Sequence, residues 1–446
     1  MDLRDAVEIV LEGGGRSGAS DVEVVAAEGE SLEVGVRLGE VEKLKRSRDR
    51  RLAIRSFCGS SSAVCSTADL SLDSLRALAG QCAELARATA PDPFAGLPEV
   101  AGGSSSASLD LFDARAESFT VEDALALAKR GEAAALESDP RLSNSEGAEF
   151  RAGHHRLIYA TSRGVEGEYR TSRFSLSVVP VAKAGDQMER DYWYASARHF
   201  SDLDPPEAVG AKAAERTLRR LGARAGHTKA VPVVFDPETS ATLLGHLAAA
   251  ASGSTIYRGT SFLAGRLGER LAPPGITVVD DPLLARRLGS RPFDGEGLAT
   301  RRNVLLEDGV FRSYLLDTYS GRKLGMESTA SAVRSLAEPP SAGPSNLYLV
   351  AGAATPEEIV ASVTDGLYVT ELIGFGVNPV TGDYSRGAAG LWIENGRLAH
   401  PVHEVTIAGN LLEMFRSIEL VGNDLEFRST ITAPTLKIAQ MTVAGA

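Results

Sequence analysis

The sequence predicts an α+β protein, with an N-terminal mixed helix and antiparallel-sheet region followed by a strand-rich C-terminal domain containing few helices. Three observations carry that prediction. Apolar and polar residues alternate with period two in many separate stretches, helical periodicity is confined to isolated blocks, and the two never settle into the strict strand–helix–strand rhythm of a parallel doubly wound sheet. With 446 residues, and about 150 per domain, the expected segmentation is an N-terminal subdomain over 1–95, a linker and second subdomain over 96–225, and a C-terminal domain over 226–446.

The elements follow from local patterns. Leu3, Val7, Val10 and Leu11 recur at helical spacing, and Gly13 to Gly15 are expected to stop that helix. Val22, Val24, Leu32, Val34, Val36 and Leu38 then alternate with polar residues as in a half-buried strand, and two further strands are read at Val41–Leu44 and Leu52–Phe57. With them goes a basic patch of Lys43, Lys45, Arg46, Arg48, Arg50 and Arg51, interrupted by Glu40, Glu42 and Asp49 and lacking any aromatic residue. Such a stretch reads as a solvated hairpin or as a phosphate-contacting patch. Ser71 opens a helical pattern that ends near Pro91, and Pro91 to Ser108 reads as a linker. Thr120 with Asp123 marks another helix start, residues 143–200 return to strands, and a helix is expected at roughly 205–222. In the C-terminal part Asp236-Pro237 and Thr355-Pro356-Glu357-Glu358 are helix-opening sequences, with Gly366 expected to end the second helix. Asp308-Gly309 and Asn395-Gly396 are hairpin turns. A short helix starts at Asn410 and a last strand lies near Thr435–Val443.

Composition limits the function classes. The net charge of −12 opposes binding to nucleic acid or anionic lipid outside a locally basic surface. No run of about 18 apolar residues occurs, so no membrane-spanning helix is expected. Cys58, Cys65 and Cys82 form no CxxC pair and have no neighbouring His, which suits small core residues in a reducing compartment. A charged amphipathic N-terminal helix is unlike a signal peptide, and a cytoplasmic location is expected.

The residues that could carry chemistry are few. A phosphate loop is absent, Gly374-Phe375-Gly376 lacks the third glycine of a dinucleotide fingerprint, and Asp383-Tyr384-Ser385-Arg386-Gly387 has Asp where a nucleophile elbow needs Gly. A hydrolytic zinc needs two imidazoles on one rigid element and a nearby carboxylate. His154 and His155 are adjacent on a strand and point to opposite faces. His246 is alone on its helix. His400, His403 and Glu404 lie in a strand where alternation separates the two imidazoles. The densest unusual stretch runs from Thr364 to Gly409, where close-set glycines accompany Glu371, Asp383 and Arg386, able to form a polar cluster.

These segments carry a resemblance. Leu316-Asp317-Thr318-Tyr319-Ser320-Gly321-Arg322-Lys323-Leu324-Gly325, the run Thr370 to Gly374, the run Thr381 to Gly390, the turn Trp392 to Gly396, and Thr406 to Leu411 together resemble the TldD/PmbA family, on its PmbA or TldE branch. The resemblance implies a cytoplasmic heterodimeric zinc metalloprotease that cleaves unfolded or short peptides in peptide maturation and antitoxin turnover; the family's older label is modulator of DNA gyrase. In it the TldD-type subunit carries HExxxH on a helix and a later cysteine. Here the corresponding helix reads Ala241-Thr242-Leu243-Leu244-Gly245-His246-Leu247, and no cysteine follows Cys82. The chain is therefore expected to bind no metal or cofactor itself, to have no catalytic residue, and to work beside a TldD-type partner that holds the zinc, forming a homodimer when alone. Thr318, Tyr319, Arg322, Glu371, Asp383, Tyr384 and Arg386 are the candidates for the peptide channel or the subunit interface. Two alternatives stand beside this reading: a self-sufficient peptidase using His400, His403 and Glu404, and a gyrase- or nucleic-acid-associated module using the basic stretch.

Overall fold

A computed structural model describes residues 1–99 and 108–445. Of the linker expected between Pro91 and Ser108, residues 100–107 lie outside the described residues. Strand makes up 40% and helix 24% of the structure, which is an α+β fold as the alternation predicts.

The first half is built on a seven-stranded antiparallel sheet in the order Ser61–Thr67, Glu40–Cys58, Asp21–Arg37, Asn144–Thr161, Glu166–Ala184 and Gln187–Arg190, with Trp193–Ala197 also paired to Glu166–Ala184. Its central pair joins the 1–95 and 96–225 regions into one surface, in register from Glu23 opposite Thr161 to Val36 opposite Ala148. One face of the long strand Asp21–Arg37 carries two cores in succession. Val22, Val24 and Ala26 meet the helices Leu3–Arg16 and Leu72–Ala88, and Leu32, Val34 and Val36 meet Val121–Leu136 and Pro206–Leu218. Thr120 and Asp123 close a reciprocal capping box at the third of these helices.

Three local expectations are corrected by packing. Gly13 to Gly15 do not stop the first helix, which continues to Arg16. A Cβ on Gly14 would stand 2.7 Å from Val22 Cγ2 and one on Gly13 would stand 3.0 Å from Ala79 Cβ, so these glycines admit close neighbours inside the helix. The two strands read at Val41–Leu44 and Leu52–Phe57 are a single strand, Glu40–Cys58. Its basic residues face acids across the hairpin: Arg50 pairs with Glu28 at 2.8 Å, Arg48 with Glu30 at 3.2 Å, and Lys43 with Glu33 and with Glu149 at 3.2 Å. These pairs neutralise part of the stretch, while Lys45, Arg46 and Arg51 make no ion pair among the described residues. Gly366 does not end the helix Pro356–Ala361; it lies within the strand Asp365–Ile373, where a side chain would meet the Pro232 carbonyl oxygen at 2.6 Å.

The second half centres on a mixed sheet that closes on itself. Lys229–Phe235, Asp365–Ile373, Asp383–Glu394 and Arg397–Asn410 follow one another, and Leu436–Ala444 pairs with both the first and the last of them. The helix Pro237–Ala251, capped by Asp236 through Thr239 N at 2.9 Å, packs Leu243, Leu244 and Leu247 into the same core as Tyr384, Ala388 and Trp392. A five-stranded sheet of short strands, including Val278–Asp280 and Asn303–Glu307, completes this half. Asp308-Gly309 and Asn395-Gly396 make the expected turns, with both residues of each at positive φ.

The two halves meet through a buried polar network on the other face of the first sheet. Glu23, 1% exposed, accepts from Arg334 and lies 4.0 Å from Arg55. The Tyr159 hydroxyl stands 3.1 Å from Glu23 and 2.8 Å from the Glu296 carbonyl oxygen. Burial, with Asp294 and Asp317 close by, pushes the Glu296 carboxyl up to about 8, so it is protonated at neutral pH.

Two outcomes follow from this network. Glu23→Ala strands two guanidinium groups inside the protein and is expected to lower stability by about 3–5 kcal/mol, the usual cost of breaking a buried pair, measured by urea unfolding. Because Glu296 binds its proton more tightly folded than unfolded, its contribution to stability is complete below its ordinary pKa of 4.5 and is lost as pH rises toward about 8. Glu296→Gln is expected to flatten the fall in melting temperature across that window relative to the wild-type chain.

Candidate functional site

The seven candidate residues occupy separate places. Thr318, Tyr319 and Arg322 lie on the helix Thr318–Leu324, whose first turn is fixed by Asp317 accepting from Ser320 N at 2.8 Å and whose C-terminal end is closed by Gly325 at φ 64°. Thr318 N donates to Glu296 at 2.8 Å, while its buried hydroxyl has no hydrogen-bond partner among the described residues. The Tyr319 hydroxyl donates to Asp92 at 2.7 Å. Arg322 spreads its guanidinium over the carbonyl oxygens of Phe94, Gly96 and Leu97 at 3.2, 3.3 and 2.7 Å, and Lys323 stands over the Phe94 ring. This helix binds the segment after residue 91 onto the C-terminal half.

Glu371 and Asp383 do not join Arg386 in the expected polar cluster. Glu371 pairs with Arg220 at 2.5 Å, a contact between the strand Asp365–Ile373 and the end of the preceding helix region. Asp383 accepts from Thr381 Oγ1 at 2.7 Å and from Asn410 Nδ2 at 3.2 Å, which hold its carboxyl below the usual range. The Thr381–Gly390 and Thr406–Leu411 segments meet here, because Asp383 and Asn410 are opposite one another across two strands.

Tyr384 and Arg386 are the pair that the strand brings together, two residues apart and on the face that packs against the helix Pro237–Ala251. Their third member is His246, which sequence reading left as a lone helical histidine. Its ring meets that of Tyr384 edge-on at 6.2 Å between centroids. Burial and the positive charge of Arg386 both lower the His246 pKa, and burial pushes the Tyr384 phenol up to about 12 against the opposing pull of Arg386. His246 Nε2, Tyr384 Oη and Arg386 Nε are closed off from solvent and lack hydrogen-bond partners among the described residues. Period-two spacing places Tyr384 and Arg386 on one face, but only the packing of strand on helix selects His246 as their neighbour.

A zinc ion does not fit this cluster. His246 Nε2 supplies a single neutral donor, and the nearest charged group is a cation. One turn along the helix are Thr242 and Ala250, neither of which offers a thiolate, an imidazole or a carboxylate. Among the described residues no group of three or more His, Cys, Asp and Glu side chains is arranged to hold a metal. His400 and His403 each turn to a separate acid, Glu394 at 3.7 Å and Glu404 at 3.6 Å, and Glu404 adopts φ 54°, which breaks the regular alternation there.

The clamp on the 92–97 segment generates a measurable outcome. Hydrogen bonds from a charged donor contribute roughly 1.5–3 kcal/mol. Arg322→Ala is therefore expected to speed native-state proteolysis between residues 92 and 99 by about tenfold or more, followed by mass spectrometry of the fragments.

Comparison with known proteins matches the chain from end to end. Three family models cover it: PmbA/TldA metallopeptidase domain 1 over residues 22–86, the central domain over 114–221 and the C-terminal domain over 228–445. The chain is 39% identical over 445 residues to Metalloprotease PmbA of Escherichia coli O157:H7, covering 99% of this chain and 96% of that protein. It is 36% identical to a Metalloprotease PmbA homolog of Haemophilus influenzae, covering 100% of this chain and 96% of that one. Among solved structures, a protein of Bacteroides thetaiotaomicron described as a modulator of DNA gyrase superposes with a TM-score of 0.91 at 28% identity over 99% of both chains. TldE of Thermococcus kodakarensis shares the fold, with a TM-score of 0.89 at 22% identity over 99% of this chain and 100% of that one. With all three domains matched in order and a relative at 39% identity over almost its whole length, this chain belongs to the PmbA/TldD metallopeptidase family, on its PmbA side.

Proposed function

We propose that this chain is the subunit of a cytoplasmic two-subunit metallopeptidase that does not itself hold the metal, and that it acts beside a TldD-type subunit carrying zinc on an HExxxH helix. The single observation that carries the reading is that the one charge acting on His246 is the positive charge of Arg386, with no carboxylate beside it, on the helix where the metal-bearing branch would present its ligands. A cation at that position opposes a divalent ion, and the neighbouring helix positions hold Gly245 and Leu247 instead of further donors.

In this reading the substrate is a short or unfolded peptide, which an exposed sheet edge accepts in extended form through main-chain hydrogen bonds with little demand on sequence. The self-sufficient alternative through His400, His403 and Glu404 is disfavoured because the two imidazoles engage different carboxylates. The nucleic-acid alternative is disfavoured because Arg50, Arg48 and Lys43 of the basic strand are already engaged by Glu28, Glu30 and Glu33 across the hairpin and the chain carries a net charge of −12.

The purified chain alone is expected to contain no stoichiometric zinc and to leave an unstructured peptide intact. Co-expressed with a TldD-type subunit it is expected to co-purify and to support cleavage that chelator abolishes. Stoichiometric tightly bound zinc together with cleavage by the isolated chain contradicts the reading, and His403→Ala then tests the alternative centre.

A further inference from the structure

A second feature lies away from His246. A cleft of about 890 Å³ opens between the end of the helix Pro206–Leu218, the start of the helix Pro237–Ala251 and the turn at 396–398. Val360, Tyr368 and Leu398 supply apolar wall, and seven carboxylates and five cations line much of the remainder, so a bound anion depends on a cation that no acid of the cleft already holds.

Most of the cations in this cleft have acids of their own. Arg216 stands 3.3 Å from Asp191 and 3.2 Å from Asp236, Arg428 2.5 Å from Asp204, and Lys212 2.9 Å from Glu215. Asp236 is further committed to Thr239 N at 2.9 Å. Arg219 has none of this. It makes no ion pair among the described residues, and its Nε and Nη2 are closed off from water without any hydrogen-bond partner. Burial and then the charge of Arg216 lower its pKa, against weaker attraction from Tyr368, Asp236 and Asp191, none of which bonds to it.

The two unpartnered nitrogens form one edge of the guanidinium, the edge that grips a carboxylate through two parallel hydrogen bonds. The same molecule shows this use twice. Arg163 holds Asp21 through Nε and Nη2, both at 2.7 Å, and Arg130 holds Glu207 through the same atoms at 2.7 and 3.1 Å. A part-buried cation with an empty fork is costly for a fold to keep. The side chain lines the cleft, and in the structure that edge is turned inward, so gripping a ligand there requires the guanidinium to swing toward the opening.

We propose that this cleft binds a small organic carboxylate, gripped by the Nε–Nη2 edge of Arg219 with the ligand's apolar body against Val360, Tyr368 and Leu398. The site is separate from the His246 cluster, and it holds whether or not the chain works beside a zinc-bearing subunit.

Trp193 also lines the cleft and provides the readout. The full-length chain is titrated with N-acetyl-leucinate, with N-acetyl-leucinamide and with inorganic phosphate, while tryptophan fluorescence is followed. The expected result is a saturable change with the carboxylate and none with the amide, weakened tenfold or more in Arg219→Gln. The melting temperature of Arg219→Gln is expected to equal or exceed that of the parent, because the side chain makes no polar contact to lose. Equal affinity in the variant, no saturation by the carboxylate, a stronger Arg219-dependent response to phosphate, or a marked fall in melting temperature would each overturn the assignment.

Discussion

The placement of Arg386 beside His246 is the constraint from which the functional account follows. Both side chains are partly withdrawn from water, and no carboxylate among the described residues neutralises the guanidinium. In such surroundings positive charge is screened poorly, so a second cation at His246 would be repelled and the imidazole itself favours its neutral form. The helix Pro237–Ala251 retains the fold of a metallopeptidase family while the electrostatics at this position oppose the metal. Family membership and local chemistry thus point in different directions, which the proposed assembly with a metal-bearing subunit would reconcile.

The framework around this position is assembled from contacts far apart in sequence. Leu436–Ala444 closes the C-terminal sheet by pairing with both Lys229–Phe235 and Arg397–Asn410. That closure sets the strand carrying Tyr384 and Arg386 against the helix carrying His246. The N-terminal sheet is then locked onto this half by Glu23, Tyr159 and Arg334, and the segment at 94–97 is held to it by Arg322. Charged groups do this joining beside a small apolar cluster, in which Phe293 and Leu336 meet Val25, Tyr159 and Tyr169 of the first sheet. Its geometry is therefore well specified, while its stability depends on keeping every partner.

Local chemistry made much of the fold legible from sequence alone. The capping boxes at Thr120 and Thr355, the cap at Asp236 and the two Gly-containing turns depend on residues within four positions of one another. Expectations gave way where distant packing decides. Gly14 stays helical because Val22 needs its space, and Gly366 is a strand residue because Pro232 crosses it closely. In the basic strand, the acids that engage Arg50, Arg48 and Lys43 lie across the hairpin. At the site, the spacing of Tyr384 and Arg386 was visible as period two. The pairing of Glu371 with Arg220, 151 positions away, and the meeting of His246 with Tyr384 had no local signal. Arg219 was invisible for the same reason, since an unpaired cation is recognised only once all its neighbours are known.

The most direct test of the central claim is the titration of His246, followed by NMR of its ring protons in the intact chain with and without added zinc. The account predicts an imidazole pKa below the ordinary 6.5 that rises toward it in Arg386→Gln, with no change at stoichiometric zinc in the parent. An ordinary pKa insensitive to Arg386, or a His246 signal shifted by stoichiometric zinc, would contradict it.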